Sequence, residues 1–209
     1  MKGLVVRRLT PRLMDAMGEV LRGSWGVGCW CMYPRLTGTD MKAMRGPGLN
    51  QRRCDAMTKL ARRRRAPGLL AFEGDQAVGW IAVAPRTELK RIETSRATPR
   101  VDDMEVWVIP CITVRPSARG RGVALALIRA GVAYAKKEGA PAVEAYPRAG
   151  SARTADDNAY FGTEPLFRRA GFRVIRKPRD KARRNWVRRV TMRLQTAKAR
   201  VSRGSSSRS

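Results

Sequence analysis

At 209 residues and 43% hydrophobic content, the chain holds enough apolar material for one ordinary α/β core and not two. Its net charge of +27 is carried mostly by arginine, in clusters such as Arg62-Arg63-Arg64-Arg65 and Arg183-Arg184. Histidine is absent, which excludes imidazole as a general base and every zinc site built on it.

A field of that sign attracts polyanions: nucleic acid, an anionic membrane surface or a phosphorylated cofactor. An arginine-rich coding bias on solvated faces would give the same charge, so charge alone names no partner. The apolar stretch Gly3–Val6 is too short for a signal peptide, and no run approaches the ~18 apolar residues of a membrane span. The four cysteines fit reduced thiols in a cytoplasm.

In chain order, Leu4 to Leu9 is a short strand candidate, and Thr10-Pro11 caps a helix running to about Leu21. Glycines and a proline forbid a long regular element between Gly23 and Pro34. A second helix is expected from Asn50 to about Arg64. Leu69–Phe72, the turn Glu73-Gly74-Asp75-Gln76 and Ala77–Ala84 read as a β-hairpin. Arg86 to Asp103 is charged and aperiodic, and is expected to be a long loop.

The next stretch organises the chain. Val106 to Val114 is a β-branched apolar run, hence a buried strand. Arg119-Gly120-Arg121-Gly122 is a basic turn, and Val123, Leu127, Ala130 and Tyr134 mark one stripe of a helix that Gly139 stops. Such a strand–turn–helix is an anion site. The first helical N–H groups lack intrahelical partners, the glycines let a phosphate approach the main chain, and the arginines add forked donors. A P-loop is excluded, because Val123-Ala124 stands where Lys-Ser/Thr is needed; Leu125 likewise excludes the dinucleotide fingerprint.

Further strands are expected at Ala142–Tyr146, Phe172–Ile175 and Trp186–Leu194, with Pro147 to Phe161 irregular. A short helix is capped by Thr163 and stopped by Gly171. Gln195 to Ser209, rich in Lys, Arg, Ser and Gly, is expected to be a disordered tail on a single domain spanning residues 1–194.

What the turn retains is Arg-x-x-Gly-x-Ala, at Arg119, Gly122 and Ala124. This resembles motif A of the GNAT N-acetyltransferase superfamily. Leu166 to Phe172 resembles a second signature of that family, with Phe167 four residues before Gly171. The Gly-Cys-Trp-Cys-Met-Tyr segment at 28–33 and the Gly79-Trp80 to Pro85-Arg86 segment are similar to a bacterial branch of it whose substrate is not established.

The resemblance implies a mixed, mostly antiparallel α/β sheet of six to seven strands, splayed between its fourth and fifth and flanked by helices. It implies acetyl transfer from acetyl-CoA, as co-substrate, straight to an amine acceptor. The pyrophosphate would lie on the main chain of Arg119, Gly120, Arg121, Gly122, Val123 and Ala124. Main-chain groups of Ile112, Thr113 and Val114 would hold the pantetheine arm and the thioester carbonyl. The alternative is a basic RNA- or ribosome-binding adaptor on the same scaffold. Polyanions bound without specificity and a homodimer are compatible with either reading.

Catalytic groups are less sharply drawn. The family's usual tyrosine acid is replaced by Phe167, which leaves Tyr160 or Tyr146 as donor to the departing thiolate. The glutamate that some members carry on the strand is Val108 here. Glu105 is then the candidate base, with Asp102, Asp103 and Glu144 nearby, each also a natural partner for arginine. Trp30, Met32 and Tyr33 would wall the acceptor pocket or join the core. Cys29-x-Cys31, with Cys54 and Cys111 elsewhere, reads as buried thiols rather than a metal site.

Overall fold

A computed structural model describes residues 3–22, 28–150, 160–178 and 188–196. The first strand, β1 (Leu4–Arg8), is followed by a 3₁₀ turn at Pro11–Leu13 and by α1 (Met14–Leu21). Helices α2 (Gly38–Ala43) and α3 (Leu49–Ala61) lead to the hairpin of β2 (Gly68–Glu73) and β3 (Gln76–Pro85). Short α4 (Lys90–Glu93), β4 (Trp107–Val114), α5 (Val123–Lys137) and β5 (Ala142–Ala145) come next. The chain closes with α6 (Glu164–Arg169), β6 (Arg173–Arg176) and β7 (Thr191–Gln195).

Seven strands form one sheet in the order β1-β2-β3-β4-β5-β7-β6. Neighbours are antiparallel except β4 and β5, which are parallel, with α5 as the long crossover that parallel neighbours require. Helices α5 and α6 cover one face. There Val123, Leu127 and Phe167 bury against Ile81, Ile109, Val143 and Met192. Gly79 allows the close approach of α5, since a Cβ on it would stand 2.9 Å from Leu127 and 3.1 Å from Val123. On the opposite face α1 and α3 bury Met14, Met17, Val20 and Met57 against Leu70, Phe72 and Trp80. Among the described residues, no helix is long and apolar enough to cross a membrane.

Three expectations are corrected. The stretch Arg86 to Asp103 is not a plain loop: it carries a 3₁₀ turn at Arg86–Glu88 and then α4. It is organised by one buried cation and not by an apolar face, so no period shows. The Arg86 guanidinium donates to the carbonyls of Ile92 at 3.2 Å and Thr98 at 2.8 Å, and pairs with Glu93 at 2.9 Å. Helix α2 was not expected, although Thr37 and Asp40 form a reciprocal capping box visible in the sequence. Strand β7 is shorter than expected and starts at Thr191, while Gln195 still pairs with Ala142 and Thr196 N–H donates to Pro141 at 3.0 Å. Residues 186–187 of the expected strand and 197–209 of the expected tail lie outside the described residues, as do 23–27 and 151–159.

Candidate active site

Strand β4 runs beside β5 only as far as Ile109, which lies opposite Ala145. Against β3, Ala82 faces Cys111 and Ala84 faces Val108, so β4 carries one residue more than its partner. That residue falls at 109–110, and Pro110 fits it, having no N–H to contribute to a ladder. A bulge bends its strand and ends regular pairing. Residues 110–114 accordingly leave β5, and an open edge of β4 faces the gap. The bulge also switches sides for side chains: Ile112 lies in the α5 core while Cys111 packs against the α1 face.

The turn after β4 is built by two left-handed glycines, Gly120 at φ 75° and Gly122 at φ 80°. Gly122 is the N-cap of α5, and its carbonyl accepts the first helical bond from Ala126 N–H at 3.1 Å. The amides of Val123, Ala124 and Leu125 therefore have no acceptor inside the helix. Val123 is buried, which fixes this end of α5 to the sheet. Arg119 Nε donates to the Val114 carbonyl at 3.2 Å, and Arg121 pairs with Glu73 at 3.0 Å. Arg119 to Gly122 thus form the turn, and Val123 and Ala124 open the helix that follows it. Their outward groups are amides and guanidinium ions, a set suited to a diphosphate.

At the other end of the gap, Ile112 N–H donates to the Tyr160 carbonyl at 2.7 Å. The alternation of an antiparallel strand turns the Val114 amide to the same side. The Tyr160 ring lies 4.5 Å from that of Phe161, and Arg189 stacks on Phe161 at 4.0 Å. Burial raises the Tyr160 phenol above its ordinary value, with Arg189 acting against the shift and Tyr33, Cys111 and Cys29 adding to it. The phenol keeps its proton through the neutral range. Four separate pieces of chain meet here: the 29–33 segment, the end of β4, residues 160–161, and Arg189.

Glu105 is not among them. It is exposed and precedes β4, and seven residues at ~3.3 Å each put it on the order of 20 Å along the strand from Ile112. Glu144 is buried, but in a network of its own. Arg193 binds it at 2.6 Å and also binds Asp102 at 2.6 and 2.9 Å. The Tyr146 hydroxyl donates to Glu144 at 2.7 Å and accepts from Arg86. Burial, then the Glu144 charge, pushes the Tyr146 phenol well up, and its hydroxyl is committed at both ends. Of the two tyrosines, Tyr160 is the one joined to the end of β4, through its carbonyl. Phe167 is fully buried, edge-on to Phe172.

Trp30 and Cys31 both adopt left-handed backbone, at φ 49° and 52°, which costs about 1–3 kcal/mol each. The strain is held by side-chain bonds: Trp30 Nε1 donates to Asn50 at 2.7 Å, and Trp80 Nε1 to the Cys31 sulfur at 3.0 Å. Met32 and Cys31 are core residues, whereas Tyr33 is only partly covered, its ring 4.3 Å from the Arg91 guanidinium. The Cys31 thiol is raised well above its ordinary value, first by a bond with the Cys111 thiol and then by burial. Among the described residues, no group of three His, Cys, Asp or Glu side chains is placed to hold a metal. Sequence reading missed Pro110, although a proline inside a strand is itself a bulge signal. It also missed Arg189, which no local pattern marks.

The sequence model of the acetyltransferase (GNAT) family matches residues 36–162. No curated protein matches the chain. Among solved structures, a GNAT-family protein from Desulfovibrio desulfuricans is 17% identical with a TM-score of 0.54, covering 93% of this chain and 99% of that one. YncA from Salmonella typhimurium, solved with acetyl-CoA, is 15% identical with a TM-score of 0.54, covering 94% and 95%. PaiA N-acetyltransferase from Thermoplasma acidophilum, solved with coenzyme A, is 13% identical with a TM-score of 0.52, covering 92% and 98%. At these identities the likeness is one of fold.

Proposed function

The chain belongs to the acetyltransferase (GNAT) family, and from that premise we propose that it moves an acetyl group from acetyl-CoA directly to an amine. The observation that carries the reading is the bulged β4 leading through two left-handed glycines into the bare amides of α5. Solved structures of the same fold contain acetyl-CoA or coenzyme A. Here the amides of residues 120 to 125 would take the diphosphate, with Arg119 and Arg121 supplying charge. The edge of β4 at Ile112, Thr113 and Val114 would take the pantetheine arm as a strand takes a neighbour. The four cysteines are free thiols, and the reading puts the reaction in a reducing cytoplasm.

The amine nitrogen attacks the thioester carbon. The Ile112 N–H, turned to the carbonyl oxygen, stabilises the negative charge that gathers there. A C–N bond forms, the C–S bond breaks with its electron pair on sulfur, and Tyr160 gives the thiolate a proton while the amine's proton passes to water, from which the phenolate is reprotonated. Before this, the Tyr160 carbonyl has to give up the Ile112 amide, so admission of the thioester and placement of the acid are one movement of one residue. The remaining rate gain comes from holding both reactants in the gap.

Calorimetry with acetyl-CoA tests the reading. Binding is expected with the wild type, and absence of binding at millimolar cofactor overturns it.

A further inference from the structure

On the acceptor side of the same gap, Arg189 is a half-buried cation without an acidic partner among the described residues. Its Nη1 donates to the Tyr146 carbonyl at 3.1 Å, and its plane stacks on Phe161. Among the described residues, the ionisable groups that face it are Tyr160, Arg148 and Tyr33, none of them a carboxylate. Among the described residues, acids of the neighbouring elements have cations of their own: Glu144 and Asp102 bind Arg193, Glu93 binds Arg86 and Arg100, Glu88 binds Arg35, and Glu164 binds Arg168. A second cation, Arg91, lies over Tyr33 and donates to its carbonyl at 3.1 Å.

Burial works against the Arg189 charge, and the neighbouring Arg148 cation adds to that. A guanidinium taken partly out of water and paired only with a carbonyl and a ring leaves most of its forked donor set unused. It matches a carboxylate in two-point geometry. The site is correspondingly hostile to an acceptor that is only positive, such as a polyamine or an isolated lysine side chain, on a chain of net charge +27.

Resting on the acyl-transfer reading above, we propose that the acceptor is an amine that itself bears a carboxylate, of the amino-acid type, and that Arg189 holds this carboxylate while the nitrogen faces the thioester beside Ile112. Arg189 thereby sets acceptor specificity and takes no part in binding the cofactor.

The test uses the full chain in low-chloride buffer, with CoA release measured for a panel of amino acids and their carboxamides at equal free-amine concentration. A second arm uses peptides with amidated C-termini whose first residue is Asp or Glu, which separates a small amino acid from an acidic N-terminus as source of the carboxylate. Free acids are expected to exceed their amides by roughly ten- to hundredfold in kcat/KM, the range of a charge-assisted hydrogen bond. Arg189→Gln should erase that preference, Arg189→Lys should restore part of it, and acetyl-CoA affinity by calorimetry should stay unchanged in both. Equal use of acids and amides by the wild type, or a preference that survives in Arg189→Gln, overturns the proposal while leaving acyl transfer standing. If acetyl-CoA binds but no panel member turns over, the same pairs are titrated onto the protein–CoA complex. Acids that bind no tighter than amides there overturn the proposal equally. Failure of acetyl-CoA to bind the wild type overturns the acyl-transfer reading itself.

Discussion

The two ends of the gap beside β4 are made of different material. At the α5 end, the groups proposed to take the anion are main-chain amides flanked by Arg119 and Arg121, on a backbone set by two glycines at positive φ and by Val123, which locks the helix down. At the Tyr160 end, side chains from separate parts of the chain gather around the Ile112 amide, and one of those parts carries left-handed backbone at Trp30 and Cys31. A site made of backbone tolerates most substitutions except those that alter φ or fill the turn. A site made of side chains fails one residue at a time.

The largest expected effect breaks the backbone end. Gly122→Glu puts a Cβ and a negative charge into the turn and should weaken acetyl-CoA binding by at least ~100-fold, the sum of lost approach and repulsion. Gly139→Glu is the control: it is left-handed too, at φ 89°, but lies at the far end of α5. It should cost about 1–2 kcal/mol of stability with no change in affinity. Equal affinity losses in both variants would mean that strain alone explains the result. At the side-chain end, Tyr160→Phe removes the acid, a change that typically costs ~10²–10⁴-fold in turnover. A loss below about tenfold, with saturating cofactor and the best amine found, removes Tyr160 from the mechanism.

The Arg86–Tyr146–Glu144–Arg193–Asp102 network sharpens the contrast, because it meets the Tyr160 end only through the Tyr146 carbonyl that accepts from Arg189. Glu144→Ala removes the buried carboxylate shared by Arg193 and Tyr146, leaving Arg193 with Asp102 and Arg86 with Glu93, and should cost about 3 kcal/mol of stability, read from denaturant midpoints. Tyr146→Phe should cost only about 1–2 kcal/mol and leave turnover within a few-fold. The smallest effect is a titration. The bond from Arg193 holds the Asp102 carboxyl below its ordinary value. A carboxylate whose pKa is lower folded than unfolded adds stability above its unfolded pKa, near ~3.9, and that stability is lost as pH falls through the folded value. Asp102→Asn should therefore lower the neutral plateau of the stability profile and flatten its acid limb below about pH 4.

What could be read in the sequence divides along the same line. The strand, the glycine turn and α5 were legible because strand patterning, helical period and turn chemistry are written within some thirty adjacent residues, Val106 to Gly139. The short range of those signals is the reason the backbone end came through. Glu105 looked like a base because it stood nearest in sequence, but a strand carries neighbours apart at ~3.3 Å per residue. Arg189 carried no local signal at all, one arginine among many, and only tertiary contact with Phe161 and Tyr160 distinguishes it. Arg86 hid α4 in the same way, since a buried charge leaves no periodic trace.

The extra residue at 109–110 has a further consequence. It works as a frameshift in space. Downstream of it, side chains and amides change sides together: Ile112 is delivered to the α5 core, Cys111 to the α1 face, and the Ile112 amide to the gap. Shortening β4 by one residue anywhere in the bulge would alter no side chain that lines the site. Yet it would remove the bend: Cys111 would still pair with Ala82 and Ile112 with Ile81, in an unbroken ladder, and the edge of β4 would run on beside β5 instead of parting from it. The length of this strand, counted in whole residues, is as much a part of the site as any side chain in it.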